Sequence, residues 1–160
     1  MASTSLSHPR FKYDVFLSFR GADTRDGFVS HLFKALREEK VNTFMDDNLD
    51  RGKEISDTLL RTIEESYVSV VIFSRNYARS PWCLDELVKI YHCNEETGQI
   101  VLPVFYEIDP SDVQELTGSY GDALINHQNE FKDSLVKVEN WSHALRKIAG
   151  MAGFDSRDIK

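Results

Sequence analysis

The stretch YDVFLSF at Tyr13–Phe19 is a nearly continuous apolar run that ends at Arg20-Gly21. A strand that is buried on both faces has such a composition, because each side of it packs against helices. A second run of this kind, VSVVIF, occupies Val68–Phe73. The two runs predict two strands of a buried parallel sheet.

Helices and further strands alternate along the rest of the chain. The other predicted elements are helices at Arg25–Lys40, Asp57–Ser66 (with Ser56 as its N-cap) and Ser134–Ala149, and strands at Val41–Met45 and Ile100–Tyr106. This alternation predicts a flavodoxin-like α/β domain of three layers, with a central parallel sheet of about five strands between helices. Pro103 suits an edge of that sheet, because it cannot donate a main-chain hydrogen bond.

Length and composition indicate one globular domain. The chain has 160 residues, 41% of them apolar and 28% charged, which is enough to bury a core. We expect a flexible lead at residues 1–11, a folded domain at 12–155 and a short tail at 156–160. No apolar run approaches the roughly 20 residues of a membrane span, so we expect no membrane partner.

Charge and cysteine spacing narrow the range of partners. Cys83 and Cys93 lie ten residues apart on one predicted helix, which suits neither a disulfide nor a metal site. We therefore expect no metal and a reducing compartment, the cytoplasm or the nucleus. The net charge of −7 argues against a nucleic-acid partner.

The segment SPWCLDEL at Ser80–Leu87 predicts a helix start, with serine as N-cap and proline in the first turn. Helical spacing places Trp82, Cys83 and Ile90 around Glu86. A carboxylate among apolar groups is costly to ionise unless a cation faces it, which marks Glu86 as a functional candidate.

Asp85, next to Glu86, has a basic residue at helical spacing. Asp85 has Lys89 one turn later on the same predicted helix. Acids and lysines at this spacing commonly form solvent-exposed pairs. We therefore interpret Asp85 as an ordinary solvated residue, in contrast to Glu86.

Basic residues follow the first three predicted strands. They are Arg20 and Arg25, then Arg51 and Lys53, then Arg75 and Arg79, whereas the fourth loop is acidic. Ligands of parallel sheets bind beyond the carboxyl ends of the strands, so an anionic ligand should prefer the edge formed by these three loops. The preference of arginine for exposed loops explains the same pattern equally well.

Other common α/β functions lack their motifs in this chain. A phosphate-accepting receiver needs acids after the first strand and an aspartate after the third, where the chain has Arg20-Gly21 and Ser74-Arg75. Neither a phosphate-binding glycine loop nor a dinucleotide-binding glycine motif follows the first strand. No nucleophile motif supports acyl transfer.

Taken together, the segments resemble the Toll/interleukin-1 receptor (TIR) domain, in particular the plant type at the N-terminus of intracellular immune receptors. The resemblance covers roughly residues 12–155. The motifs that carry it are YDVFLSFRG (13–21), DTR (23–25), FVSHL (28–32), LDRG (49–52), VIFS (71–74), WCLDEL (82–87), LPVFY (102–106) and DPS (109–111).

The resemblance implies an NAD⁺ glycohydrolase or cyclase that acts on NAD⁺ or NADP⁺, needs no cofactor and signals in plant immunity and cell death. It places the catalytic glutamate at Glu86. The implied substrate-binding residues are Arg20, Gly21, Ala22, Asp23, Thr24 and Arg25 in the first loop, Lys53, Glu54 and Ile55 in the long BB loop (47–56), and Trp82 and Cys83 at the helix start.

The resemblance also implies self-association. In plant members, a Ser-His pair and a late glycine belong to two separate contact surfaces, and these positions fall on Ser30, His31 and Gly153. The pair points away from the apolar face of its predicted helix. The implied partners are further TIR domains and, in a longer protein, the remaining domains of an immune receptor.

Two other functions stay open at this stage. Many animal members are non-catalytic scaffolds, and a scaffold would need Ser30 and His31 but not Glu86. Some members link the cysteine at the position of Cys83 to a nucleic-acid-dependent synthesis of cyclic nucleotides, which the net charge of −7 disfavours.

Overall fold

The computed structural model describes residues 11–45 and 55–158, apart from the side chains of Ala22, Arg25 and Asp26. The strands are β1 (Tyr13–Ser18), β2 (Thr43–Met45), β3 (Ser66–Phe73), β4 (Ile100–Phe105) and β5 (Phe154–Asp155). The helices are α1 (Gly21–Thr24), α2 (Ser30–Glu38), α3 (Asp57–Glu64), α4 (Pro81–Thr97), α5 (Pro110–Glu115), α6 (Gly118–Glu130) and α7 (Leu135–Ala149). A helix long and apolar enough to cross a membrane does not occur in these ranges.

The sheet is parallel throughout, with the strand order β2-β1-β3-β4-β5. This confirms the predicted flavodoxin-like α/β fold and its five strands. The chain leaves β1 towards one edge of the sheet, whereas it leaves β3 towards the other. The carboxyl ends of β1 and β3 therefore flank a switch point, where open parallel sheets bind their ligands.

Side chains alternate across β1, so this strand contributes to two apolar cores. Val15 and Leu17 belong to the core that α2 covers. Phe16 belongs to the larger core, which α3, α4, α5, α6 and α7 cover. Right-handed crossovers explain the division, because the connection from β1 to β2 runs in the opposite direction to the later ones.

The first helical region differs from the single helix predicted at Arg25–Lys40. It begins at Gly21, and a π-helical turn at Arg25–Val29 separates α1 from α2. The main-chain oxygen of Arg20 accepts hydrogen bonds from the Asp23 amide and the Thr24 hydroxyl, both at 3.1 Å. These bonds wind the chain into a helix directly after β1, which apolar periodicity alone does not signal.

Two other boundaries have local causes. The Ser56 hydroxyl accepts a hydrogen bond from the Leu59 amide at 3.1 Å, which confirms the predicted N-cap of α3. The helix ends at Glu64 instead of Ser66, because Ser66 already begins β3. The Ser66 hydroxyl, fully buried, donates to the main-chain oxygen of Thr62 at 2.8 Å.

Part of the predicted tail is attached to the sheet edge. Ser156–Asp158 forms a 3₁₀ turn, and the Ser156 hydroxyl accepts a hydrogen bond from the Glu107 amide at 2.9 Å. Arg157 pairs with Asp155 at 2.9 Å. Residues 1–10 of the predicted lead lie outside the described ranges.

Pro103 and Gly153 approach each other closely at the β5 side of the sheet. β4 lies between β3 and β5, so the edge position predicted for Pro103 is wrong, although the described pairing of β4 with β5 covers only Val104 and Phe105. A Cβ atom added to Gly153 would lie 2.1 Å from the main-chain oxygen of Pro103. A side chain at position 153 therefore requires the chain before β5 to move.

We expect Gly153→Ala to lower the free energy of unfolding by about 1–3 kcal/mol, the usual cost of forcing extra atoms into a packed site. Thermal unfolding measures the effect. Gly150→Ala is the matched control, because its Cβ would meet only ordinary contacts at 3.5 and 3.6 Å. Equal melting temperatures for the two variants would contradict the steric argument.

Candidate functional site

Three elements meet at the switch point and bring together Ser18, Tyr77 and Glu86. Ser18 is the last residue of β1, Tyr77 begins a 3₁₀ turn after β3, and Glu86 lies in the second turn of α4. Their exposed fractions are only 0%, 0% and 2%. A carboxyl group is thus held inside the protein beyond the carboxyl ends of β1 and β3, where such sheets bind ligands.

The start of α4 fixes the position of Glu86. The Ser80 hydroxyl accepts a hydrogen bond from the Cys83 amide at 3.1 Å, and Pro81 occupies the first helical turn, which confirms the predicted cap. The buried residues of α4 are Cys83, Leu84, Glu86, Leu87, Ile90 and Cys93. Glu86 is the charged residue of this buried face, as the sequence pattern predicted.

The Ser18 hydroxyl contacts the Glu86 carboxyl, and the Tyr77 hydroxyl contacts Ser18. The Ser18 hydroxyl donates to Glu86 Oε1 at 2.7 Å and lies 2.8 Å from the Tyr77 hydroxyl. Tyr77 donates to the main-chain oxygen of Cys83 at 3.1 Å. Burial, followed by the nearby Cys83 and Glu86, raises the pKa of Tyr77 well above its ordinary value, so this phenol keeps its proton.

Asp23 ties the loop after β1 to the loop after β3. Its carboxylate accepts hydrogen bonds from the Ser74 hydroxyl at 2.6 Å and from the Asn76 amide at 2.8 Å. Burial raises the pKa of Asp23, but the hydrogen bonds from Ser74 and Asn76 and the charge of Arg20 outweigh it, so the pKa is lowered. Asp23 therefore holds the two walls of the switch point together.

The Arg20 guanidinium lies beside Asp23, and its Nε–H has no described acceptor. Its Nη1 is 3.4 Å from Asp23 Oδ1. Its Nε is buried and has no hydrogen-bond partner among the described residues. A buried N–H group without a partner is costly, so Arg20 is suited to receive an acceptor such as a phosphate oxygen.

The remaining predicted site residues fall into three groups. Thr24 and Cys83 are buried, Gly21 is half-buried, and Trp82 is half-buried against the larger core. Ile55 instead packs near the start of α3, where it lines a groove with Asp85 and Trp141. The side chains of Ala22 and Arg25, and all of Lys53, Glu54 and the BB loop before Ile55, lie outside the described part of the chain.

Asp85 has a partner that helical spacing did not predict. Its Oδ1 accepts a hydrogen bond from the indole N–H of Trp141 in α7, at 3.0 Å. Lys89 forms an ion pair with Glu64 of α3. The face of α4 that carries Asp85 thus packs on neighbouring helices, beyond the local pair expected from the sequence.

The described residues contain no group of three His, Cys, Asp or Glu side chains that could hold a metal ion. Cys83 and Cys93, both described, are buried and are not joined by a disulfide. Burial, as the largest effect, raises the pKa of the Cys93 thiol.

A family model described as "TIR domain" matches residues 12–160. This chain belongs to the TIR domain family. It is 47% identical to the disease resistance protein RPV1 of Vitis rotundifolia, over 98% of this chain and 11% of that protein. It is 46% identical to the TMV resistance protein N of Nicotiana glutinosa, over 99% of this chain and 14% of that protein.

A solved structure resembles this TIR domain closely. It contains the TIR domains of the activated Roq1 resistosome, an assembly described as directly recognizing the pathogen effector XopQ. These domains match with a TM-score of 0.85 and 50% sequence identity. The match covers 92% of this chain and 90% of that one. The chain spans only a small part, 11% and 14%, of the two curated relatives named above.

Two residues of the TIR site were missed by sequence reasoning. Ser18 lies inside the apolar run that predicts the first strand, and the sequence analysis assigns no role to Tyr77. A serine inside a strand that is buried on both faces must find a hydrogen-bond partner, so Ser18 could have been singled out. Tyr77 carries no comparable signal, because its role depends on where the turn after β3 ends.

We expect Asp23→Ala to destabilise the TIR domain by about 1–3 kcal/mol at neutral pH, because it leaves buried donors without an acceptor. The pKa of Asp23 is below its ordinary value of 3.8, so its contribution is complete above that value and is lost as the pH falls below it. The difference from the unmodified protein in urea unfolding should therefore shrink from about pH 5 to about pH 3. Asp122→Ala, at an exposed position of α6, is the control. A difference in stability that stays constant with pH would contradict the role of the Asp23 carboxylate in joining the two loops.

Proposed function

We propose that this TIR domain cleaves the bond between nicotinamide and ribose in NAD⁺ and NADP⁺, releasing nicotinamide and ADP-ribose or its cyclised form. The products would act as signals in plant immunity and cell death, and the dinucleotide is the substrate, so no cofactor is required. The observation that carries the proposal is the carboxyl group of Glu86, which is 2% exposed at the switch point of the sheet. The buried cysteines Cys83 and Cys93, which are not joined by a disulfide, support action in the cytoplasm.

The chemistry suits a single carboxylate. Breaking a glycosidic bond at C1′ develops positive charge on the ribose, and a fixed carboxylate stabilises that charge most where water is excluded. Nicotinamide leaves as a neutral base, so a second carboxyl that protonates the leaving group is less necessary than in ordinary glycosidases. Glu86 is proposed to be the catalytic residue.

Cationic and aromatic groups near the site suit the rest of the dinucleotide. The buried Nε of Arg20 is a donor that a phosphate oxygen could satisfy. Trp82, one turn before Glu86, is half-buried and offers a ring face for stacking. Arg25 and Lys53, from the first loop and the BB loop, are proposed as further phosphate ligands.

Self-association is proposed to activate the enzyme. Ser30 and His31 are exposed at the start of α2, as predicted, and the related Roq1 TIR domains were solved in an assembly called a resistosome. Gly153 remains a proposed second contact, although its approach to Pro103 gives it a structural role as well. In a longer receptor, its other domains would bring TIR domains together.

A scaffold without catalysis is the second candidate. The exposed Ser30-His31 pair and the assembled relative favour it as much as they favour the enzyme. The two functions differ in what they require of Glu86. In a plant cell-death assay, the scaffold predicts that Glu86→Ala still signals, whereas the enzyme predicts that it does not.

We expect Glu86→Ala to reduce nicotinamide release from NAD⁺ at high protein concentration by about 100-fold or more, since it removes the charge that stabilises the transition state. Nicotinamide is quantified by chromatography. Glu95→Ala, an exposed acid on the same helix, should retain activity. Release that survives in Glu86→Ala would refute the catalytic assignment.

We expect turnover per subunit of the unmodified domain to rise with its concentration, and the double variant Ser30→Ala/His31→Ala to lose this rise. Exposed polar contacts of this kind contribute on the order of 1 kcal/mol each, enough to weaken an already weak association. Light scattering and activity are followed over the same concentration range. Lys34→Ala, also exposed on α2, is the control, and an unchanged concentration dependence in the double variant would rule out this surface.

A further inference from the structure

A continuous line of close polar contacts runs from Glu86 into the core. Glu86 Oε1 lies 2.7 Å from the Ser18 hydroxyl, which lies 2.8 Å from the Tyr77 hydroxyl. Tyr77 in turn lies 3.1 Å from the main-chain oxygen of Cys83. Ser18 and Tyr77 have no exposed surface, so bulk water does not replace these contacts.

The number of protons along this line depends on the state of Glu86. A main-chain oxygen can only accept, so the contact with Cys83 must use the single hydroxyl proton of Tyr77. The contact between Tyr77 and Ser18 then uses the proton of Ser18, and the contact with Glu86 needs a third proton. All three contacts are hydrogen bonds at once when Glu86 carries that proton.

The ionised carboxylate uses the same atoms in the reverse direction. Ser18 then donates to Glu86, and Tyr77 turns its proton from Cys83 towards Ser18. Only hydroxyl hydrogens rotate between the two arrangements, and no heavy atom has to move. The line of hydroxyls therefore fits both the carboxylate and the carboxylic acid.

We propose that Ser18 and Tyr77 are positioning residues that hold the Glu86 carboxyl in both protonation states, so that Glu86 takes the proton of the attacking water. This inference rests on the proposed NAD⁺ cleavage. The C1′–N bond breaks and its electron pair stays on the nicotinamide nitrogen; the water oxygen bonds to C1′ and its proton passes to Glu86. The proton is then released to solvent, which restores the carboxylate.

Other groups near this line belong to several elements. Cys83 of α4 and Tyr120 of α6 lie near Tyr77, and Asp23 of α1 lies near Tyr120. Tyr120 is itself fully buried and donates to the main-chain oxygen of Ser74 at 2.7 Å. It therefore offers a tyrosine of the same burial whose hydroxyl serves the fold and has no described contact with Glu86.

The test compares two pairs of variants in the intact domain. Tyr77→Phe is paired with Tyr120→Phe. Ser18→Ala is paired with Ser69→Ala, another fully buried strand serine, which donates to Gln99 Oε1 at 2.9 Å. For each variant we measure thermal unfolding and the pH dependence of kcat and KM for nicotinamide release.

Ser18→Ala and Tyr77→Phe should each lower kcat by roughly 10- to 100-fold, with KM within about twofold, because they misplace Glu86 without touching the substrate. Their pH profiles should move in opposite directions. Ser18→Ala removes the donor to the carboxylate and should move the acidic limb to higher pH. Tyr77→Phe removes the acceptor that the protonated arrangement needs and should move it to lower pH.

The outcomes separate this inference from the function on which it rests. If the unmodified domain releases no nicotinamide, or Glu86→Ala matches it, the proposed function and the inference both fall. If Glu86→Ala is inactive while Ser18→Ala and Tyr77→Phe behave like their controls, only the inference is overturned. If Ser18→Ala does not fold, Tyr77→Phe against Tyr120→Phe decides the question alone.

Discussion

The parallel pairing of β1 with β3 in the middle of the sheet is the constraint on which the site depends. Because the chain leaves these two strands in opposite directions, nothing from the sheet itself fills the space beyond their carboxyl ends. Ser18 ends one strand, and the turn with Tyr77 follows the other. Glu86 reaches the same point from α4, so the site is a product of topology before it is a product of any loop.

Burying a carboxyl group at this point carries a cost that its surroundings must offset. The structure does so with neutral hydroxyls from Ser18 and, behind it, Tyr77. Asp23 follows a different arrangement: its donors, from Ser74 and Asn76, favour the charged form, and its pKa is lowered. The two acids of the site thus have different surroundings: Asp23 joins the two walls through its donors, whereas Glu86 lies against the neutral hydroxyl of Ser18.

Sequence reasoning succeeded where a local pattern fixes the structure. The buried strands, the Ser80 cap and the inward position of Glu86 all follow from periodicity and capping rules, and all are observed. It failed for contacts between distant segments, such as Asp85 with Trp141. The early start of α1 was also missed, because apolar periodicity does not signal the hydrogen bonds that Asp23 and Thr24 donate to the main-chain oxygen of Arg20. Local rules place a residue on an element, but only packing chooses its partner.

Few residues separate the proposed self-association surface at Ser30 and His31 from the site along the chain. The loop after β1 winds directly into α1, the π-helical turn follows, and Ser30 and His31 begin α2 on its other side. Phe28 of that turn stacks on Tyr106 beyond the end of β4, with ring centroids 5.0 Å apart, which anchors the turn to the sheet edge. A partner domain bound at the proposed surface of Ser30 and His31 would act on a segment that leads through the π-helical turn and α1 to Asp23 and Arg20. The proposed activation by association would therefore need no distant relay, because the proposed contact surface on α2 and the wall of the site on α1 are joined by one π-helical turn.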